Sequence, residues 1–305
     1  MTDHPEVKAI ALLVRVTGYA GLAMFIGGLV FLATLWPRGT WDRRTRRLLV
    51  VAWLIGALST LAGIGLQGAY AASLPLSAAV RPAVIGNVLN DQPGDIWAAK
   101  GLLWIVAAIV LAWALREGDR AVRTIHWRVA AVVVALALLR TTGMTSHAVD
   151  APHPFVGELA DLLHLAGISM WFGGLVVLIV GVLRRHRPGD LAAVVPGYSR
   201  LALVSVLLIA ASGLVLAWQL VGSVHALLHT SYGHLLIAKL AVLALVLAAA
   251  QRSKQWVAAR LDLAVLLHGD ARTVRPFLYS VAAEAALLMA VLSAAGLLVT
   301  AAPGR

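Results

Sequence analysis

The sequence predicts an all-α integral membrane protein with eight transmembrane helices, arranged as two parallel four-helix repeats with both termini outside (N-out/C-out). Three observations support this fold class. Of the 305 residues, 61% are hydrophobic and only 13% are charged, against about 25% charged residues in soluble domains. Long uncharged runs recur along the chain, and arginines cluster in alternate connections between them.

The apolar runs define the predicted spans in chain order. A transmembrane helix needs about 18 or more mostly apolar residues, and the runs 16–37, 48–80, 162–183 and 201–238 contain no Asp, Glu, Lys or Arg at all. The other runs are interrupted by single charges. The eight predicted helices cover residues 10–35, 48–72, 96–115, 128–148, 157–183, 199–221, 233–251 and 277–301, which leaves no room for a soluble domain.

The basic residues give the orientation of these helices. Of the 25 Lys and Arg residues, 18 lie in the connections that follow the first, third, fifth and seventh spans. By the positive-inside rule these connections face the cytoplasm and both termini face outward. The net charge of +11 is therefore a topology signal, and nucleic acid is not an expected partner. The expected environment is a lipid bilayer.

An internal duplication divides the chain into repeats at 8–150 and 155–303. YAGLAMFIGGLVFL (19–32) aligns with LAGISMWFGGLVVL (165–178), and GDIWAAKGLL (94–103) aligns with GHLLIAKLAV (233–242). Ser59 and Ser212 match in the same way, each twelve residues after an arginine. The paired glycines are expected to let helices approach closely. Gly18 stands where the second repeat has His164, so the first repeat is expected to be closer to scaffold and the second to carry the chemistry.

Histidines and other ionisable groups gather toward the outer side and form three clusters. On the fourth span Arg140, Met144 and His147 share one stripe, and on the fifth Glu158, Asp161 and His164 follow at intervals of three. The sixth connection carries His225, His229 and His234, and the first two share a face if a short helix forms there. The remaining candidates are His153, Lys239 and Glu284.

Each cluster has a structural interpretation beside a functional one. Ionisable groups at membrane depth usually face a cavity or a partner, but Arg140 can pair structurally with Asp161 or Glu158, and Lys239 can reach toward the interface. Glu284 is equally well a solvated helix end or an ion way-station. Met144 is as readily a packing residue as a metal ligand.

The donor types restrict the metal. The chain has no cysteine, so imidazole, thioether and carboxylate are the available ligands. This set suits copper, as Cu(I) where sulfur dominates and as Cu(II) where nitrogen and carboxylate do, while zinc and nickel remain alternatives. A transported ion also needs sites weak enough to release it, which partial sets of two or three ligands provide.

Several motifs in a fixed order resemble the copper resistance protein D family (CopD/PcoD) of bacterial inner-membrane proteins. They are TSHAVD (145–150), DLLHLAGISMWFGGL (161–175), YSRLALVSVLLIAASGLVLAWQLVGS (198–223) and HTSYGHLLIAKLAVLALVLAAAQRSK (229–254). The resemblance covers the C-terminal half well and the N-terminal half mainly by topology. It implies copper uptake from the periplasm with a CopC-type periplasmic partner, and it places His147 and His164 in the histidine-bearing motifs. His225, His229 and His234 depart from the general pattern, either as an additional capture site or incidentally. We expect no copper-binding domain to be fused to the chain, which departs from a common arrangement of the family.

The leading hypothesis is therefore a copper permease, which is not an enzyme. His225, His229 and His153 would collect the ion outside, Met144, His147, Asp161 and His164 would pass it into the membrane, and Arg140 or Lys239 would balance the carboxylate charge of the empty site. One rival is a membrane redox protein whose b-type haem lies between His164 and His147 or His234. Another is an accessory or assembly subunit of a copper oxidase. The sequence does not give the oligomeric state.

Overall fold

The computed structural model describes residues 5–91, 94–144, 154–185, 188–221 and 224–230, together with a few single positions between 233 and 248. All regular secondary structure within these residues is helical. The α-helices in chain order are α1 (Pro5–Thr34), α2 (Arg43–Ala71), α3 (Pro82–Asn90), α4 (Gly94–Glu117), α5 (Asp119–Arg123), α6 (Ile125–Gly143), α7 (Pro154–Ile168), α8 (Gly174–Val177), α9 (Pro188–Val221) and α10 (Val224–His229).

Six helices in the described part of the chain are long and apolar enough to cross a membrane. They are Glu6–Thr34, Arg43–Ala71, Gly94–Glu117, Ile125–Gly143, Pro154–Val182 and Gly189–Gln219. The first six predicted spans each correspond to one of them. The seventh and eighth predicted spans lie largely or wholly outside the described residues, so the total of eight and the orientation remain predictions.

Two parallel central helices organise the bundle. In α1 and in Pro154–Val182, 61% of the most apolar window is buried, against 17–33% in the other four candidate spans. The two helices touch at their paired glycines, where a Cβ on Gly27 would lie 2.7 Å from the Cα of Gly173 and a Cβ on Gly173 would lie 2.8 Å from the Cα of Gly27. The packing role predicted for these glycines is confirmed. Their contact joins the two copies of the repeated motif, residues 19–32 and 165–178, to each other.

The helix Pro154–Val182 is not a regular α-helix throughout. After α7 the backbone widens into π-helical turns at Ser169–Gly173 and Leu178–Val182, separated by α8. The Tyr198 hydroxyl of α9 donates to the Trp171 carbonyl at 2.9 Å, and the Ser169 hydroxyl donates to the Leu165 carbonyl at 2.7 Å. Side chains therefore supply hydrogen bonds where the regular α-helical pattern is interrupted.

Tryptophans hold the other helices of the first half together. The Trp53 indole N–H donates to the Trp104 carbonyl at 2.8 Å, and the Trp104 indole N–H donates to the Thr60 hydroxyl at 3.0 Å, which joins α2 to α4. The Trp127 indole N–H donates to the Val110 carbonyl at 3.0 Å and joins α6 to α4. Each polar indole group thus finds a partner inside an otherwise apolar interface.

The arginine-rich ends of the helices are joined by short elements. A 3₁₀ turn at Pro37–Trp41 lies against α5, and the exposed Trp41 donates its indole N–H to the Asp119 carboxylate at 3.0 Å. This hydrogen bond is the main reason that the pKa of Asp119 lies below its ordinary value, and Arg123 at 3.8 Å adds to the effect. The Arg128 guanidinium reaches across to the Ala33 carbonyl at the end of α1, at 3.0 Å.

Candidate functional site

The best-defined element of the candidate site is the imidazole of His164. This residue lies on α7 and is 9% exposed. Its Nδ1 atom is 3.1 Å from the Ile209 carbonyl oxygen and 3.1 Å from the Ser212 hydroxyl, both on α9. The Ser212 hydroxyl itself donates back to the Leu208 carbonyl. The histidine is therefore buried and held between two helices.

These contacts assign the tautomer of the ring. A carbonyl oxygen only accepts hydrogen bonds, and the Ser212 proton is directed to Leu208, so the His164 Nδ1 atom must carry the proton that is shared with Ile209 and Ser212. In the neutral ring the Nε2 atom then carries the lone pair. This is the arrangement in which a second group orients a metal-binding histidine through its other nitrogen.

Asp161 lies one turn above His164 on the same helix. The two residues are three apart in sequence, which places Asp161 about 4.5 Å nearer the N-terminal end of α7. Its half-buried carboxylate lies against Gly143 at the end of α6, where a Cβ would come within 2.5 Å of the Oδ2 atom. Met144 follows as the half-buried cap residue of α6. The Asp161 carboxylate in the middle of α7 thus lies close to Gly143, the residue that precedes Met144 at the end of α6.

Arg140 and Glu158 form an ion pair between the C-terminal part of α6 and the N-terminal part of α7. Their nearest side-chain atoms are 3.3 Å apart, and the side chains are 63% and 31% exposed. The predicted pairing of Arg140 is confirmed for Glu158. Because the arginine is largely exposed, the pair holds α6 against α7 only weakly, and Asp161 lies deeper than this pair.

The connection beyond α9 contains the short helix α10, so the condition for His225 and His229 to share a face is met. It places His225 and His229 on one exposed face, with their ring centroids 4.4 Å apart. His234 is turned differently, because its Nε2 atom donates to the Leu228 carbonyl at 2.8 Å. Its Nδ1 atom is then the nitrogen left for any metal.

Four predicted site residues fall outside the described part of the chain: His147, His153, Lys239 and Glu284. Among the residues that are described, no three His, Asp or Glu side chains converge closely enough to hold a metal ion. The described candidates are therefore His164 with Asp161, one helical turn apart on α7, and His225 with His229, whose rings are adjacent on α10. The assignment of any of these residues to a metal remains a prediction.

The sequence analysis missed Arg15 and Tyr19, which lie on α1 at the level of Asp161. The Tyr19 hydroxyl is within electrostatic range of both the Arg15 guanidinium and the Asp161 carboxylate. The repeat contained a signal for this, because Arg15 precedes Gly27 by the same twelve residues that separate Asp161 from Gly173. Gly27 and Gly173 contact each other. Because Arg15 and Asp161 precede these glycines by the same number of residues on parallel helices, the two charged residues lie at a similar height in the bundle.

The two predicted repeats also make corresponding helix contacts. A Cβ on Gly18 would lie 3.0 Å from the Cβ of Ser59, while His164 bonds to Ser212 in the matching place. The first half therefore closes this position by direct packing, whereas the second half fills it with an imidazole.

Comparison with known proteins gives two family models that match adjacent parts of the chain. The model described as copper resistance protein D-like, N-terminal domain, matches residues 1–152, and the model described as copper resistance protein D matches residues 192–298. The N-terminal half is thus similar to the family in sequence as well as in topology. His164 lies in the interval between the two matches.

Two curated relatives are similar to the chain. Copper resistance protein D of Pseudomonas syringae pv. tomato is 29% identical over 289 residues, which cover 90% of this chain and 91% of that protein. Copper transport protein CutJ of Bacillus subtilis (strain 168) is 31% identical over 228 residues, which cover 72% of this chain but only 42% of that longer protein. No solved structure is significantly similar to the chain.

Proposed function

The chain belongs to the copper resistance protein D family, and from that premise we propose that it imports copper ions across the bacterial plasma membrane. It is a multi-pass membrane protein with at least six long apolar helices. Neither the matched family models nor the two relatives are named as haem proteins or oxidase subunits. These two alternatives therefore receive no support.

The observation that carries this proposal is the fixed imidazole of His164. A buried histidine needs hydrogen-bond partners whatever its role, but the bonds of Nδ1 to Ile209 and Ser212 also assign the lone pair of the neutral ring to Nε2. Asp161 adds a carboxylate about one turn above it. A neutral imidazole and a carboxylate form a donor set that binds copper without enclosing it.

We place the remaining candidates along the route by their position in the chain. Met144 and His147 follow the end of α6, where Asp161 packs, and are proposed to pass the ion inward to Asp161 and His164. His153 lies in the same outer connection and is assigned to collection of the ion. Arg140 with Glu158, and Lys239, are proposed to balance charge, and Glu284 to lie on the cytoplasmic side of the route.

Inward movement of a cation is driven by the membrane potential. A negative interior favours entry by about 2.3 kcal/mol per charge at 100 mV, so a permease of this kind works without ATP. We expect a periplasmic copper-binding protein of the CopC type to deliver the ion from outside. This partner is inferred from the family resemblance.

Copper accumulation in cells tests the proposal. Cells that express the wild-type chain should accumulate more copper than cells with empty vector, and His164→Ala and Asp161→Asn should remove most of that difference. His126→Ala is the matched control, since His126 is exposed at the start of α6. Equal accumulation by wild type and both site variants, at equal expression, would refute the site. No difference between wild type and empty vector would refute the function.

A further inference from the structure

Helix α10 carries a pair of donors that the intramembrane route does not require. His225 and His229 are one helical turn apart, and both side chains are exposed. Their ring centroids are 4.4 Å apart, and the ring planes are inclined by 41°. Two accessible imidazoles at this distance form a nitrogen donor set without sulfur.

The ring separation discriminates between coordination geometries. An imidazole nitrogen binds a divalent metal such as Zn²⁺ at about 2.0–2.1 Å, which puts the metal about 3.2 Å from the ring centre. Two such ligands at 90°, as in a tetragonal site, have centroids about 4.5 Å apart, whereas two at the tetrahedral angle have centroids about 5.2 Å apart. The observed 4.4 Å is close to the separation for two ligands at 90°, which applies when each ring turns one nitrogen toward the same metal ion.

The third histidine of this connection does not complete a cage. The Nε2 atom of His234 donates to the Leu228 carbonyl of α10, and among the described residues no third His, Asp or Glu joins the pair. Among the described residues the pair therefore supplies two ligands, which leaves other positions around a metal open to water. Two protein ligands bind an ion tightly enough to collect it and weakly enough to pass it on.

We propose that His225 and His229 form a surface binding site for Cu(II). Tetragonal nitrogen and oxygen ligation is preferred by Cu(II) and Ni(II), and Cu²⁺ binds most tightly among the divalent first-row metals, whereas Cu(I) prefers sulfur ligands. The assignment of this site to the entry side rests on the proposed function. It deepens that function by naming the oxidation state in which the ion first binds.

Titration of the purified full-length protein with CuSO₄ in detergent tests the site. Electron paramagnetic resonance should show one tetragonal Cu(II) centre with two coupled nitrogens. The double variant His225→Gln/His229→Gln should lose this signal and bind Cu²⁺ at least tenfold more weakly in competition with a chelator. Each single variant should fall between the double variant and wild type, because the two rings act as one bidentate ligand. His126→Gln should bind as wild type does.

Two results would overturn this site. One is an unchanged spectrum and affinity in the double variant, with helical content confirmed by circular dichroism. The other is a single variant that loses as much binding as the double variant while its partner variant loses none, because one imidazole would then suffice. Adding ZnSO₄ or NiSO₄ in excess should displace Cu²⁺ poorly, and equal displacement by Zn²⁺ would contradict the tetragonal geometry.

Uptake assays separate this site from the proposed function. With the pair removed, copper accumulation should fall severalfold at limiting external copper and recover at saturating copper, whereas His164→Ala should stay defective at both. If wild type accumulates no copper while the Cu(II) signal depends on the pair, the import function fails and the site stands. If import proceeds while the double variant binds Cu²⁺ normally, the site fails and the function stands.

Discussion

At the scale of single residues, Ser212 determines how His164 presents its imidazole. The Ser212 hydroxyl accepts from Nδ1 at 3.1 Å, whereas the repeat-equivalent Ser59 lies against Gly18 and Thr17. Ser212→Ala should therefore lower copper uptake at limiting copper by about tenfold, the usual loss when a group that orients a metal-binding histidine is removed. Ser59→Ala is the matched control and should transport normally.

The same pair of variants separates a positioning role from a structural one. A purely structural Ser212 would lower thermal stability and expression without shifting the copper dependence of uptake. The positioning role predicts the reverse, with little change in stability because hydrogen bonds between membrane helices contribute only about 0.6 kcal/mol on average. Equal uptake by both alanine variants would contradict it.

Trp41 controls the ionisation of Asp119 in the connection between α4 and α6. The indole N–H stabilises the ionised carboxylate, so the folded-state pKa lies below the ordinary value. Such a group favours the folded protein at pH values above its ordinary pKa, and that contribution is lost as pH falls through the folded-state pKa. In Trp41→Phe, ¹³C NMR of the aspartate carboxyls should show the pKa of Asp119 moved upward. An unchanged titration would contradict the hydrogen bond as the main cause.

The sequence indicated some of these residue contacts and not others. The three-residue spacing predicts that Asp161 and His164 share a face of α7, and the four-residue spacing predicts the same for His225 and His229, because spacing along a helix decides which side chains share a face. The second pair is in ring contact. The acceptors Ile209 and Ser212 come from a different helix. A contact between helices depends on their rotation and register, which the composition of either helix alone does not determine.

At the scale of helices, the contact between Gly27 and Gly173 holds the two central helices together. A Cβ on Gly27 would collide with the Ser169 carbonyl, and a Cβ on Gly173 would collide with the Ala23 carbonyl. Backbone cannot move aside as a flexible side chain can, so Gly27→Ala should destabilise the protein by about 1–3 kcal/mol. Thermal unfolding in detergent, followed by circular dichroism, measures this effect.

Gly101 provides the control for this substitution. It lies inside α4, and a Cβ there would meet nothing within 4 Å. Gly101→Ala should be neutral or stabilising by up to about 1 kcal/mol, because alanine is the better helix former. Similar destabilisation by both alanines would show that the loss at Gly27 does not come from the contact with Gly173.

Helix positions were predictable to different degrees. The first five predicted spans match observed helices closely, because uncharged apolar runs of sufficient length specify them. The sixth helix begins at Pro188 rather than near residue 199, and it continues through Pro196. Hydropathy locates where a helix enters the apolar region, but a helix can extend beyond the bilayer. The π-helical turns of Ser169–Gly173 and Leu178–Val182 lie within a uniformly apolar segment, where the hydrophobic pattern does not reveal them.

At the scale of the whole molecule, the predicted orientation follows from the distribution of arginine. Connections that contain several arginines alternate with connections that contain few, and the positive-inside rule assigns the former to the cytoplasm. The contact between Trp41 and Asp119 joins two of the arginine-rich connections, as expected if both lie on one side of the membrane. The six observed helices could be compared directly with the predicted spans. Their orientation in the membrane could not, because it is predicted from the distribution of charge and does not follow from how the helices pack.

Single cysteines test this orientation directly, since the natural chain has none. Ser77→Cys lies in the exposed 3₁₀ turn Leu76–Val80 after α2, and Glu117→Cys lies at the exposed end of α4. A membrane-impermeant maleimide added to spheroplasts should label Ser77→Cys at once and Glu117→Cys only after permeabilisation. The reverse labelling pattern would show that the protein has the opposite orientation in the membrane, with His164 nearer the cytoplasmic face. Copper would then meet Asp161 and His164 on the way out, so this measurement also tests the proposed direction of transport.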